Sequence, residues 1–150
     1  MRLLIAAADD AQVLGDPRRG IRFEVERESV RGLGRRLVKV DTSFLQQCVG
    51  NVLDNAAKYG YEGTWVSLTA DVGPTDLTLA IASTGIPLRP AELPLALQRN
   101  WRGDAARSTT GEGSGLGLWI VDHLTRAMGG RVAIDARADL TTVRLVLPLA

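Results

Sequence analysis

Gly113-Ser114-Gly115-Leu116-Gly117-Leu118 opens an apolar helix, and Asn51-Val52-Leu53-Asp54-Asn55-Ala56-Ala57-Lys58-Tyr59 closes another. In the first stretch, glycines alternate from Gly111 to Gly117. Free backbone N–H groups and the helix dipole attract anions at such a start. Glycine also lets the backbone approach a ligand closely. A plain linker has no need to alternate glycine with Leu116 and Leu118 ahead of a helix. Two commoner phosphate motifs fail on spacing. No Gly-Lys dipeptide occurs, which excludes a P-loop, and Gly111 to Gly117 never satisfies G-x-G-x-x-G.

The second stretch is a stripe. At ~3.6 residues per turn, Asn51, Asn55, Lys58 and Tyr59 share one side of the helix, at the border of its apolar face. Amide oxygens are hard neutral ligands that can help complete the octahedron of a phosphate-held Mg²⁺. Lys58 can bring a point charge to a phosphate. The same stripe also suits an ordinary amphipathic helix with a polar edge.

Composition bounds the rest. At 150 residues, 45% hydrophobic and 23% charged, the chain reads as one soluble globular domain. A net charge of +1 gives no field favouring nucleic acid or an anionic membrane. The pairs Arg18-Arg19 and Arg35-Arg36 are expected on a solvated surface. One cysteine, Cys48, excludes an internal disulfide. The apolar run from Leu3 to Ala8 is too short to span a bilayer. A cytoplasmic domain without direct membrane contact is the expectation.

Periodicity predicts a helix over 3–14, ended at Gly15-Asp16-Pro17, then a strand over 21–26 and a short one over 37–40. Asp41, Thr42 or Ser43 can cap a helix running to Tyr59, with Leu45, Cys48, Val49, Val52 and Ala56 at helical spacing. Strands over 65–71 and 77–82 flank the turn Gly73-Pro74-Thr75-Asp76. Pro87, Pro90 and Pro94 leave room for one short helix over 91–97. Residues 98–113 are polar and aperiodic, as expected of a mobile lid. A helix over 114–128 stops at Gly129-Gly130, and strands over 131–136 and 141–147 follow. The pattern predicts an α+β fold: a two-layer sandwich whose mixed, mostly antiparallel sheet is covered by helices on one face.

Asn51 to Tyr59 resembles the N box of bacterial sensor histidine kinases, usually N-L-L-x-N-A-x-K-Y. Gly113 to Leu118 resembles their second glycine box, and Leu97 to Asp104 the F-box region before the ATP lid. Thr141 to Pro148 resembles their last strand. The resemblance runs in order over residues 20–149. It implies the ATP-binding catalytic domain of these kinases over 20–150, with 1–19 as a connector helix and turn. By position it implies ATP and Mg²⁺ as cofactors, Asn55 as metal ligand, and Asn51 supporting it. Lys58 and Tyr59 would stand near the phosphates, and Arg102, with Arg107, would reach the γ-phosphate from the lid. Gly113, Ser114, Gly115, Leu116, Gly117 and Leu118 would line the phosphates, and Thr141 would lie near the adenine. Asn55, Lys58 and Arg102 would be the catalytic set. For Arg99 and Arg107 the residues themselves read as solvated loop charges.

The resemblance also implies partners: a dimerisation domain bearing the phosphoacceptor histidine, a response regulator, and a homodimer in the full-length protein. The chain reads as an excised catalytic fragment. Two departures stand out. In the first glycine box, Ile81-Ala82-Ser83-Thr84-Gly85-Ile86-Pro87, Ser83 replaces the usual adenine-binding aspartate, and Pro87 falls where a second glycine is common. Leu97 and Asn100 stand where the F box has phenylalanines. These keep open a degenerate nucleotide-binding or interaction module, with an anti-sigma-type serine kinase as a further alternative. His123, the only histidine, has no partner cluster in sequence and reads as structural or surface.

Overall fold

The computed structural model describes residues 2–15, 17–26, 38, 40–98 and 117–150. Its elements are α1 (Arg2–Leu14), β1 (Arg22–Val25), α2 (Thr42–Tyr59), β2 (Trp65–Val72), β3 (Asp76–Thr84), α3 (Gly117–Ala127), β4 (Arg131–Arg137) and β5 (Leu140–Pro148). The strands form one sheet in the order β1-β2-β3-β5-β4. Only β1 and β2 run parallel; the other pairs are antiparallel.

Alternation along the strands sorts the two faces. Val66, Leu68 and Ala70 on β2, Leu77, Leu79 and Ile81 on β3, and Val143, Leu145 and Leu147 on β5 point into one core. The opposite face carries Ser67, Thr69, Thr78, Thr142 and Arg144, none of them fully buried. Near its edge the Arg22 guanidinium lies 5.3 Å over the Trp65 ring.

Helix α2 supplies the other half of the core. Its buried residues Cys48, Val49, Val52, Leu53 and Ala56 recur at helical spacing. Burial of Val49, Val52 and Leu53 contributes about 1.5–3 kcal/mol each. Asp41 caps the start, its carboxylate accepting from the Ser43 and Phe44 N–H groups at 2.8 and 3.1 Å. Helix α3 packs beside α2, with Cys48 Sγ 3.8 Å from both the Val121 carbonyl and Thr125 Oγ1. Burial pushes the Cys48 thiol above its ordinary range, against a smaller opposing effect of the Thr125 hydrogen bond. Helix α1 packs on α2 and β1, and its Leu4 and Ala8 join the same core.

Residues 37 and 39 of the strand expected over 37–40 lie outside the described residues; Val38 forms an antiparallel bridge with Leu149. Two local expectations are refined. The short helix expected over 91–97 is a 3₁₀ segment, Pro90–Leu95, with Pro94 inside it and Glu92 buried under an ion pair to Arg89 at 3.0 Å. Arg19 is not a solvated surface charge: it is half-buried against the end of α2.

The Asp41 cap satisfies two otherwise unpaired donors, so Asp41→Ala is expected to destabilise the fold by about 1 kcal/mol. Urea unfolding measures this; an unchanged midpoint would show the cap to be energetically idle.

Candidate functional site

The C-terminal half of α2 lies at the rim of the core. Asn51, Asn55 and Tyr59 are half-buried and Lys58 is exposed, as a stripe bordering the apolar face requires. Asn51 Nδ2 is buried and has no hydrogen-bond partner among the described residues. An unpaired buried donor costs about 1–3 kcal/mol, so it marks a place where another group belongs.

The start of α3 meets this stripe. A Cβ built on Gly117 would stand 3.4 Å from Asn55 Oδ1 and 3.5 Å from Nδ2. Any side chain there would cover the amide. The two motifs, separated by more than fifty positions in sequence, therefore touch at Asn55 and Gly117. Leu118, the next residue, packs partly buried against the core.

The sheet delivers a second pair. Ser83 on β3 and Thr141 on β5 are direct partners in the antiparallel register. Both continue the core-facing rows, Leu77-Leu79-Ile81 and Leu147-Leu145-Val143, beyond the last fully buried side chains. Two hydroxyls thus sit side by side at the end of the core, on the face that the helices cover.

Backbone contacts fasten this corner to the end of α2. Gly60 and Gly85 form an antiparallel bridge, and the Ile86 N–H donates to the Tyr59 carbonyl at 2.9 Å. The Gly85 N–H donates to the Asp139 carbonyl at 2.9 Å, tying in the β4–β5 turn. A Cβ on Gly85 would lie 2.2 Å from the Tyr59 carbonyl oxygen, so only glycine permits the approach.

Asn51, Asn55, Lys58, Tyr59 and Gly117 thus gather along α2, and Ser83, Gly85 and Thr141 at the adjoining end of the sheet. Arg99, Arg102, Arg107 and Gly113, Ser114, Gly115 and Leu116 lie outside the described residues, as do most of the lid and the F-box position Asn100. His123 is exposed on α3 and stacks on Trp119, with ring centroids 5.3 Å apart. The described residues contain no group of three or more His, Cys, Asp or Glu arranged to hold a metal.

Residues 40–150 match the family model of the histidine kinase-, DNA gyrase B- and HSP90-like ATPases. The chain belongs to this family. It is 32% identical over 117 residues to the sensor protein SrrB of Staphylococcus aureus, an overlap of 76% of this chain and 20% of SrrB. The chain therefore spans about a fifth of the length of the curated relatives it matches. Among solved structures, the mycobacterial sensor histidine kinase MprB superposes with a TM-score of 0.78 at 30% identity, covering 99% of this chain and 94% of that one. Full-length ShkA, solved with AMPPNP, gives 0.75 at 25% identity over 99% of this chain and 30% of its own. The catalytic domain of ThkA gives 0.72 at 19% identity over 97% of this chain and 93% of that one, a likeness of fold. This is an ATP-binding domain similar to the catalytic domains of sensor histidine kinases.

The two glycine contacts have different consequences. Gly85→Ala forces backbone apart and is expected to cost about 1–3 kcal/mol of stability. Among the described residues Gly117→Ala meets a side-chain amide, and it favours helix, so it should leave stability near the parent's while weakening nucleotide binding. Urea unfolding and ATP titration of both variants check this; equal destabilisation by the two would contradict the geometry.

Proposed function

We propose that this domain binds Mg²⁺·ATP and hands the γ-phosphoryl group to a histidine on a dimerisation domain of the same protein, in two-component signalling. Residues 20–150 form the catalytic domain in this reading, and residues 1–19 join it to the dimerisation domain. A response regulator then takes the phosphoryl group, the full-length protein acts as a homodimer, and the domain works in the cytoplasm. The observation that carries the proposal is the meeting of the Asn55 amide with the glycine that opens α3.

The residues present fit both cofactors. The Asn55 oxygen is a hard ligand placed beside the opening turn of α3, and the buried, unpaired Asn51 donor stands one turn before it. Gly117 sets no Cβ against the Asn55 amide, and the start of a helix offers backbone N–H groups that would hold a phosphate. Mg²⁺ bound with the nucleotide supplies charge neutralisation on the phosphate oxygens. Phosphoryl transfer asks little covalent chemistry of the protein, so positioning and charge are the contribution of this chain. Asn55 would hold the metal with Asn51 in support, and Lys58 would set a cation beside the phosphates, with Tyr59 next to it. From the lid, Arg102 and Arg107 would stabilise the γ-phosphate, while Ser83 and Thr141 would receive the base.

Asn55→Ala removes the oxygen ligand and raises helix propensity. Calorimetric titration should show a well-folded variant whose Mg²⁺-dependent gain in ATP affinity has gone. Retention of that gain would remove Asn55 from the metal site.

Ser83 supports a second reading, a nucleotide sensor of low affinity. A carboxylate accepting from the adenine amine contributes about 1.5–3 kcal/mol, against about 0.5–1.5 for a neutral hydroxyl. The difference of ~1 kcal/mol is several-fold in affinity. Ser83→Asp should therefore tighten ATP and sharpen its discrimination from GTP. Titration of both nucleotides into both proteins decides it: an unchanged ATP/GTP ratio would mean that position 83 does not face the base.

A further inference from the structure

The last turn of a helix leaves carbonyls without intrahelical donors, and every one must find a partner or face water. At the end of α2 each has one. The Ala56 carbonyl accepts from the Gly60 N–H at 2.9 Å, and the Tyr59 carbonyl from the Ile86 N–H at 2.9 Å. The remaining acceptors, Ala57, Lys58 and Gly60, all take the guanidinium of Arg19, with Nη1 3.2 Å from the Lys58 carbonyl. Gly60 does not form the left-handed cap that commonly ends helices; its backbone is extended, at φ −67° and ψ 149°. Arg19 does that work from 38 positions upstream.

The arginine is itself held in place. It ends the 3₁₀ turn Pro17–Arg19, and its carbonyl accepts from the Gly63 N–H at 2.8 Å. On the near side, Gln12 of α1 donates to the Ile21 carbonyl at 3.0 Å and accepts from the Phe23 N–H at 3.1 Å. The segment between α1 and β1 is thus pinned at both ends, and the guanidinium reaches out from it across α2.

We propose that Arg19 is a positioning residue for the nucleotide site, fixing through the backbone of α2 where Lys58 and Tyr59 stand. The inference rests on the ATP-binding reading above and extends it to a residue outside the recognised motifs. The planar fork carries five donors, which suits several carbonyls at once, and its charge complements the helix dipole. A lysine keeps the charge but offers one compact head, so it restores the dipole interaction and only part of the capping. Because Lys58 and Tyr59 face the phosphates, loss of the cap should weaken the phosphate-dependent part of binding and spare the base.

The test titrates ATP and adenosine into the full chain and its Arg19→Ala and Arg19→Lys variants, with thermal unfolding alongside. Arg19→Ala should lose about fivefold in ATP affinity, ~1 kcal/mol at ~1.4 kcal/mol per tenfold, and keep its adenosine affinity. Arg19→Lys should fall between. Equal losses for ATP and adenosine, or no loss for either, would overturn the positioning role. So would failure of both variants to fold, which would make Arg19 a residue of the fold alone. Failure of the unaltered chain to bind ATP is a separate outcome, and it removes the nucleotide reading together with this one.

Discussion

The Tyr59 carbonyl presses so closely on Gly85 that no side chain can stand between them. That contact fixes the end of α2 against the strand end that carries Ser83. Helix and sheet are otherwise joined by aliphatic packing, which is strong but non-directional. Leu53 and Val49 hold α2 onto the sheet without specifying its rotation closely. The directional backbone contacts at Gly60, Gly85 and Ile86 do specify it. With the rotation set, the amide stripe stays at the rim, where Gly117 arrives from α3.

In the proposed function a single helix therefore carries two roles on adjacent faces. Cys48, Val52 and Ala56 make it part of the core; Asn51 and Asn55 stand one step around the same cylinder. The proximity has a physical use. A core-packed helix gives its border residues a rigid backbone, which is what the proposed metal and phosphate contacts would require. It also has a cost, since polar groups at the border are half desolvated. The unpaired Asn51 donor is the visible sign of that cost in the described residues.

What the sequence made legible follows from which forces are local. Helices α2 and α3 were readable because core burial imposes a 3.6-residue period on apolar residues, and Asp41 is a polar side chain of the kind that caps. The hairpins β2–β3 and β4–β5 were readable from alternation and turn residues. Both amide and glycine motifs were legible in the sequence, while their meeting at Asn55 and Gly117 was visible only in the fold. Pairing across distance was not readable: nothing in Arg22-Phe23-Glu24-Val25 states that it lies parallel to β2, and nothing in Val38 names Leu149. Arg19 was read as solvated because its acceptors are main-chain carbonyls, which leave no trace in residue types. The short helix over Pro90–Leu95 was legible from the prolines around it, but its 3₁₀ winding was not, because three residues per turn and 3.6 barely differ over so short a stretch.

The register between β3 and β5 leaves the end of the sheet at Ser83 and Thr141 less constrained than the Asn55 position on α2. Ser83 and Thr141 face each other as cross-strand partners beyond the last buried pair, Ile81 and Val143. Their side chains belong to the core-facing row yet no longer contribute to the closed core. A substitution there changes a hydrogen-bonding group without opening a cavity. Asn55 has less freedom, because Gly117 stands against its amide on one side and the buried face of α2 adjoins it on the other. Ser83 thus stands at a position where the fold imposes little, whereas Asn55 stands where two elements converge.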